Sequence, residues 1–272
     1  MIGQKTLLNE FRQLKEKNRF PHFCITCGKL GSGKHTISLE IAKLLNSDFI
    51  LVDNKIDNIR DTIDMIYNTA EPTIYIFENA DDMSVNAKNV LLKVCEEPPK
   101  TAYIILLVES LSNVLDTIKS RAQIFQLTPY TKQELADFAQ LNNYVLTKEE
   151  LDFVECPGDI IRLQQDNNKN ILAYTQKVVD NLYRVSISNG LKITKAVKTT
   201  KTAESGFDID LFLNALEVSC KNKYIQTKDS KFISFGEIVA NNKSKFARPS
   251  INKSYELDNI IIKGWLLWNY QS

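Results

Sequence analysis

One run near the start of the chain, "CGKLGSGKHT", sets Gly28, Gly31, Ser32, Gly33, Lys34, His35 and Thr36 close together. It satisfies the pattern G-x-x-x-x-G-K but lacks the hydroxyl residue that normally follows the lysine. Glycines permit the tight turn, and backbone N–H groups at the start of a helix surround a phosphate whose charge a lysine neutralises. Gly28, Gly31, Ser32, Gly33 and Lys34 therefore read as a phosphate cradle. The eighth position ordinarily gives a hydroxyl to magnesium. His35 is a poor substitute, because magnesium takes oxygen ligands in tight octahedral geometry. Thr36 points about 100° further around the helix and cannot simply take over. The plain reading of His35 is a helix-start residue facing solvent.

A second candidate lies in "IYIFENADDM", an apolar run with a polar end. Glu78 stands where an acid would orient the waters of a metal ion, and Asn79 where a glutamate would position an attacking water. An asparagine amide cannot accept a proton as a carboxylate does. Other tempting groups have plainer readings. Cys24 and Cys27 form a C-x-x-C, but inside a strand their thiols point to opposite faces, so packed thiols are expected and no zinc. With His22 and His35 as the only histidines, no Ser/His/Asp or Cys/His arrangement suggests covalent catalysis. Trp265 and Trp268 read as helix-packing residues. Lys192, Lys195, Lys198 and Lys201 read as a solvated face, with a DNA-facing strip as the alternative.

These groups need a scaffold. "FPHFCITC" reads as a buried strand entering the glycine loop, and "HTISLEIAKLL" as the helix leaving it, with Ile37, Ile41, Leu44 and Leu45 on one face. "DFILVD", "TIYIFEN" and "AYIILLVE" are further apolar runs rich in β-branched and aromatic residues. "KTLLNEFRQLKEKN" and "IDNIRDTIDMIYN" are amphipathic helices, and Ser84 caps a helix "VNAKNVLLKVCEE" that Pro98 and Pro99 end. Alternating strands and helices indicate an α/β fold, a parallel sheet covered on both faces. After "FQLTPY" helices dominate, beginning with "TKQELADFAQLNN" and "TKEELDFVECPG", each opening on a threonine with an acid in the first turn. The polar stretch 185–206 is in part a loop, and "FDIDLFLNALEVSC" and "SYELDNIIIKGWLLWNY" are the strongest helices beyond it.

Composition bounds the rest. A chain of 272 residues with net charge +1 carries no bulk electrostatic argument for nucleic acid or membrane. Its five scattered cysteines suggest reduced thiols. "MIGQKTLLNEF" has no signal-peptide core, and no apolar run approaches the roughly 20 residues that span a bilayer, so a cytoplasmic protein is expected.

Taken together, "HFCITCGKLGSGK", "IYIFENADDMSVNAKNVLLKVCEEPPKTAYIILL" and "LDTIKSRAQ" resemble the AAA+ clamp-loader ATPases, over residues 1–165. The resemblance is nearest to the delta-prime type of bacterial DNA polymerase III. The leucine–acid–proline ending of "NAKNVLLKVCEEPP" is the most distinctive piece. The resemblance implies a P-loop domain over 1–127, a helical lid over 128–167 and an all-α collar over 168–272. It also implies a polar sensor after the fourth strand, where this chain has Val108. A Ser-Arg-Cys motif reaches a neighbour's ATP in the family; here it is Ser120, Arg121 and Ala122. A lid arginine would fall at Ile161, beside Arg162. The zinc module that the family often carries after the P-loop helix has no counterpart here.

The resemblance thus implies a nucleotide set of Gly28, Gly31, Ser32, Gly33, Lys34, His35, Thr36 and Glu78, with ATP or ADP as ligand and no metal. It implies Arg121 as a catalytic group acting in trans. The expected partners are motor gamma/tau-type and delta-type subunits and, through the assembled complex, a sliding clamp and primed DNA. The alternatives are a motor-type subunit that hydrolyses ATP and a non-replicative AAA+ adaptor.

Overall fold

A computed structural model describes residues 3–198, 206–247 and 251–270. The chain forms two compact units, Met1–Tyr130 and Thr131–Ser272.

The first unit alternates helices and strands: α1 (Lys5–Glu16), β1 (Phe23–Cys27), α2 (Lys34–Leu45), β2 (Asp48–Val52), α3 (Ile56–Asn68), β3 (Thr73–Phe77), α4 (Val85–Glu96), β4 (Ala102–Val108), α5 (Asp116–Lys119) and β5 (Gln123–Gln126). The strands make one sheet in the order β2-β3-β4-β1-β5. Every pairing is parallel. All carboxyl ends therefore share one edge, where ligands of open α/β sheets bind. Cys27 lies opposite Val108, and Phe77 opposite Leu106, so the glycine loop, Glu78 and Val108 leave the sheet at that edge.

Side-chain alternation divides the core. Ile37 and Ile41 of α2 and Phe11 of α1 pack on Cys24, Ile74, Ile76 and Ile105. On the other face, Ile59 and Ile66 of α3 and Leu91 and Val94 of α4 pack on Ile25, Tyr75, Phe77 and Ile104. Ser84 caps α4, its hydroxyl accepting from Ala87 N.

Two strands differ from the sequence reading. β2 is an edge strand covered on one face only: Ile50 and Val52 face the core, whereas Phe49 and Leu51 are 47% and 46% exposed. β5, "QIFQ", is a strand that hydrophobic patterning does not mark, because Phe125 is its one fully buried residue.

The second unit holds α6 (Lys132–Leu141), α7 (Lys148–Phe153), α8 (Pro157–Leu163), α9 (Ile171–Asn181), α10 (Ile187–Gly190), α11 (Ile209–Thr227), α12 (Ser230–Lys243) and α13 (Lys253–Asn269). Thr131 and Thr147 open α6 and α7 with full capping boxes to Glu134 and Glu150. α11 is the spine: Leu211, Phe212, Leu213, Ala215 and Leu216 are buried, and it packs on α7, α9 and α12. Lys243 of α12 pairs with Glu155 and Glu217. The helices expected as lid and collar thus belong to one compact unit. Trp268 stacks among Tyr183, Phe232 and Phe235, while Trp265 Nε1 donates to the Val185 carbonyl. Within 185–206, a 3-10 helix over Leu191–Ala196 and a two-residue strand over Val197–Lys198 follow α10. Lys192 and Lys195 are exposed, and Lys201 lies outside the described residues.

Candidate functional site

The glycine loop joins β1 to α2 as a tight cradle. Gly28 N donates to the Val108 carbonyl at 3.1 Å, which continues the sheet into the loop. A Cβ at Gly28 would lie 2.7 Å from Ser32 Oγ and 3.1 Å from the Leu127 side chain, so only glycine fits without displacement. Gly33 precedes α2 with φ +91°, a backbone region that side chains disfavour. No side chain caps α2, so its first amides are not satisfied by a capping group. The Ser32 hydroxyl is buried and has no hydrogen-bond partner. Lys34 Nζ folds over the loop, donating to the carbonyls of Gly28 at 2.6 Å and Lys29 at 3.0 Å. Tyr130 braces the loop, its hydroxyl donating to the Ser32 carbonyl at 2.9 Å.

Beside the cradle, His35 Nε2 lies 3.8 Å from Glu78 Oε1, both side chains nearly half exposed. His35 is thus a half-exposed residue at the start of α2, its ring beside the acid at the end of β3. Thr36 is exposed. Asn79 is also exposed, in a left-handed conformation with φ +48°. Val108 is fully buried and offers no polar group. A P-loop ordinarily holds magnesium through the hydroxyl at its eighth position, and the residues here do not fit that ion. The eighth position presents an imidazole beside Glu78, and Thr36 lies further around the helix.

Sequence reasoning missed the residue that ties this edge together. Asp81 is buried, and its Oδ2 accepts from the amides of Glu109 at 2.9 Å and Ser110 at 3.4 Å. The turn after β3 is thereby bound to the turn after β4. Lys88 Nζ donates to the carbonyls of Asp81 at 3.1 Å and Asn113 at 2.8 Å. Burial lowers the Lys88 pKa, opposed by the nearby Asp81 and Asp82 charges. A further acid three residues after Glu78 was the available signal.

Arg121 stands apart from the cradle. It follows α5 and is 39% exposed at the side chain. Its Nη2 lies 3.0 Å from Glu96 Oε1 at the end of α4, and its Nη1 donates to the Thr117 carbonyl at 2.8 Å. Its ion-pair partner is thus Glu96, not a residue of the glycine loop.

The remaining candidates are structural. His22 Nδ1 is 2.8 Å from the Ala102 carbonyl, and the ring stacks on Tyr103. Cys24 and Cys27 face opposite sides of the sheet, and burial pushes the Cys24 thiol up to about 12. Arg162 is mostly buried and pairs with Asp159 at 2.5 Å and Asp208 at 3.7 Å, whereas Ile161 is exposed.

Residues 47–131 match the family model described as DNA polymerase III, delta subunit. The chain is 25% identical over 222 residues to the replication factor C small subunit of Methanosphaera stadtmanae, covering 77% of this chain and 63% of that one. It is 30% identical over 115 residues to DNA polymerase III subunit delta' of Bacillus subtilis, covering 42% of this chain and 34% of that one. Against subunit tau of the same organism the identity is 25%, over 61% of this chain and 34% of that one. The chain thus spans between 34% and 63% of the length of these curated relatives. In structure, the Thermotoga maritima RuvB Holliday junction branch migration motor superposes with a TM-score of 0.51 at 15% identity, over 75% of this chain and 85% of that one, a likeness of fold. With the glycine loop, the parallel sheet and the "LLKVCEEPP" helix in place, the chain is similar to AAA+ clamp-loader subunits.

Proposed function

We propose that this chain is a delta-prime-type subunit of a clamp loader in DNA replication, one that does not hydrolyse ATP itself and supplies Arg121 to a neighbouring subunit's ATP. The observation that carries this reading is an asymmetry. Arg121 is at the surface in an exposed ion pair, while the polar groups that hydrolysis needs are replaced at His35, Asn79 and Val108. An exposed pair of this kind is worth about 0–1 kcal/mol, so a phosphate can compete for the guanidinium.

In this reading the partners are motor gamma/tau-type and delta-type subunits, with a sliding clamp and primed DNA engaged through the assembly, in the cytoplasm. ATP or ADP is held by Gly28, Gly31, Ser32, Gly33 and Lys34. The helices over 128–167 serve as lid and those over 168–272 as collar.

The test is hydrolysis at the adjacent site alone. Motor subunits are assembled with this chain, the P-loop lysines of every motor subunit but the adjacent one being changed to alanine. Arg121→Ala is expected to lower turnover by about 10³-fold or more, with assembly intact. Unchanged turnover in the mutant assembly defeats the reading. Turnover by the isolated chain that disappears in Lys34→Ala supports a motor-type subunit instead. Failure to assemble with motor subunits supports an adaptor.

A further inference from the structure

The cradle and its acid pose an electrostatic problem, and His35 offers a solution. Glu78 leaves β3 at the sheet edge from which the glycine loop also leaves, so a polyphosphate in the loop would face a carboxylate. In water-exposed sites like charges at such range cost affinity, and in P-loop proteins a divalent cation removes the repulsion. Here the position that should give the cation an oxygen gives an imidazole, already 3.8 Å from that carboxylate. We propose that the glycine loop binds a nucleoside di- or triphosphate without a divalent cation, with His35 standing between Glu78 and the phosphates in the metal's place. This rests on the reading that the loop holds nucleotide.

Several observations support an anion in the cradle. The Ser32 hydroxyl is buried and without a partner, beside Gly28 where a side chain has no room. The first turn of α2 has no capping side chain, so its amides can receive an anion. Asp81, three residues past Glu78, is turned to the amides of Glu109 and Ser110. Lys34 lies over the loop, its ammonium on the carbonyls of Gly28 and Lys29 that a bound phosphate would adjoin. The ring of His35 stands beside the Glu78 carboxylate, and its N–H offers the phosphate a donor where magnesium would otherwise sit.

The experiment titrates fluorescently labelled ADP and ATP into the full chain, in excess magnesium and in excess EDTA. We expect dissociation constants that agree within about twofold between the two conditions. In EDTA, His35→Ala is expected to weaken binding about tenfold, the scale of one charge-assisted contact. Adding Glu78→Gln to His35→Ala is expected to recover most of that loss, which a merely structural role for His35 would not produce. Unchanged melting temperatures confirm that the half-exposed substitutions leave the fold alone. Wild-type binding that disappears in EDTA overturns the inference and leaves the nucleotide reading standing. His35→Ala binding as tightly as wild type also overturns it. Absence of binding in both conditions removes the nucleotide reading, and the inference with it.

Discussion

The glycine loop and the Arg121 corner lie in one α/β unit and preserve opposite things. The loop has the backbone of a phosphate site, with a left-handed Gly33, a Gly28 too crowded for a side chain and an uncapped helix start. Beside it stand His35, Asn79 and Val108, which the proposed function reads as replacements for the groups of hydrolysis. The corner has no special backbone, yet it presents an intact cation at the surface. Anion-binding shape is a property of the main chain, set by packing of β1 and α2. Hydrolysis is a property of a few side chains, and single substitutions remove it without touching the core. A chain can therefore keep the form of an ATPase while its chemical contribution lies elsewhere.

The largest expected effect sharpens the nature of the Arg121 cation. In the single-site assembly, Arg121→Lys keeps the charge but not the planar fork that grips phosphate oxygens. We expect it to lose at least about 10²-fold of the roughly 10³–10⁵ that an arginine in trans contributes. Full activity with lysine would mean that charge alone matters there. The next effect concerns the frame rather than the chemistry. Asp81→Ala strands the amides of Glu109 and Ser110 and is expected to destabilise the fold by about 1–3 kcal/mol in denaturant unfolding. A smaller loss would mean that solvent reaches those amides.

Most of the scaffold was legible in the sequence because β1, β3 and β4 are buried at nearly every position and read as continuous apolar runs. The capping residues Ser84, Thr131 and Thr147 were legible because their logic is local. β5 was not, since its single buried Phe125 gains meaning only from pairing with β1 across a long sequence separation. The apolar run of β2 concealed its edge position, which depends on strand order rather than composition. In the site, the loop glycines and Lys34 could be read from spacing. The His35–Glu78 and Arg121–Glu96 pairs could not, because each joins residues from separate elements.

A smaller effect tests the loop's half of the contrast. Lys34→Ala in the isolated chain is expected to weaken ADP binding by about tenfold, one charge-assisted phosphate contact, in equilibrium titration. The same substitution in the single-site assembly should leave the neighbour's hydrolysis unchanged, since the loop contributes nothing to that reaction. If Lys34→Ala abolished the neighbour's turnover as fully as Arg121→Ala, the two regions would be coupled and the contrast between them would fail.

The smallest effect concerns the tether on the arginine. In the proposed role Arg121 would exchange its Glu96 contact for a phosphate, and both side chains are substantially exposed, so screening limits the pair to about 0–1 kcal/mol. Glu96→Gln removes the charge and keeps the shape. Stability should then fall by less than about 1 kcal/mol, while turnover at the neighbouring site rises by at most about fivefold, because the guanidinium is released at lower cost. The sign separates two roles for Glu96. If turnover falls instead, the glutamate is aiming the guanidinium at the neighbour, and the ion pair belongs to the productive geometry rather than to a resting one.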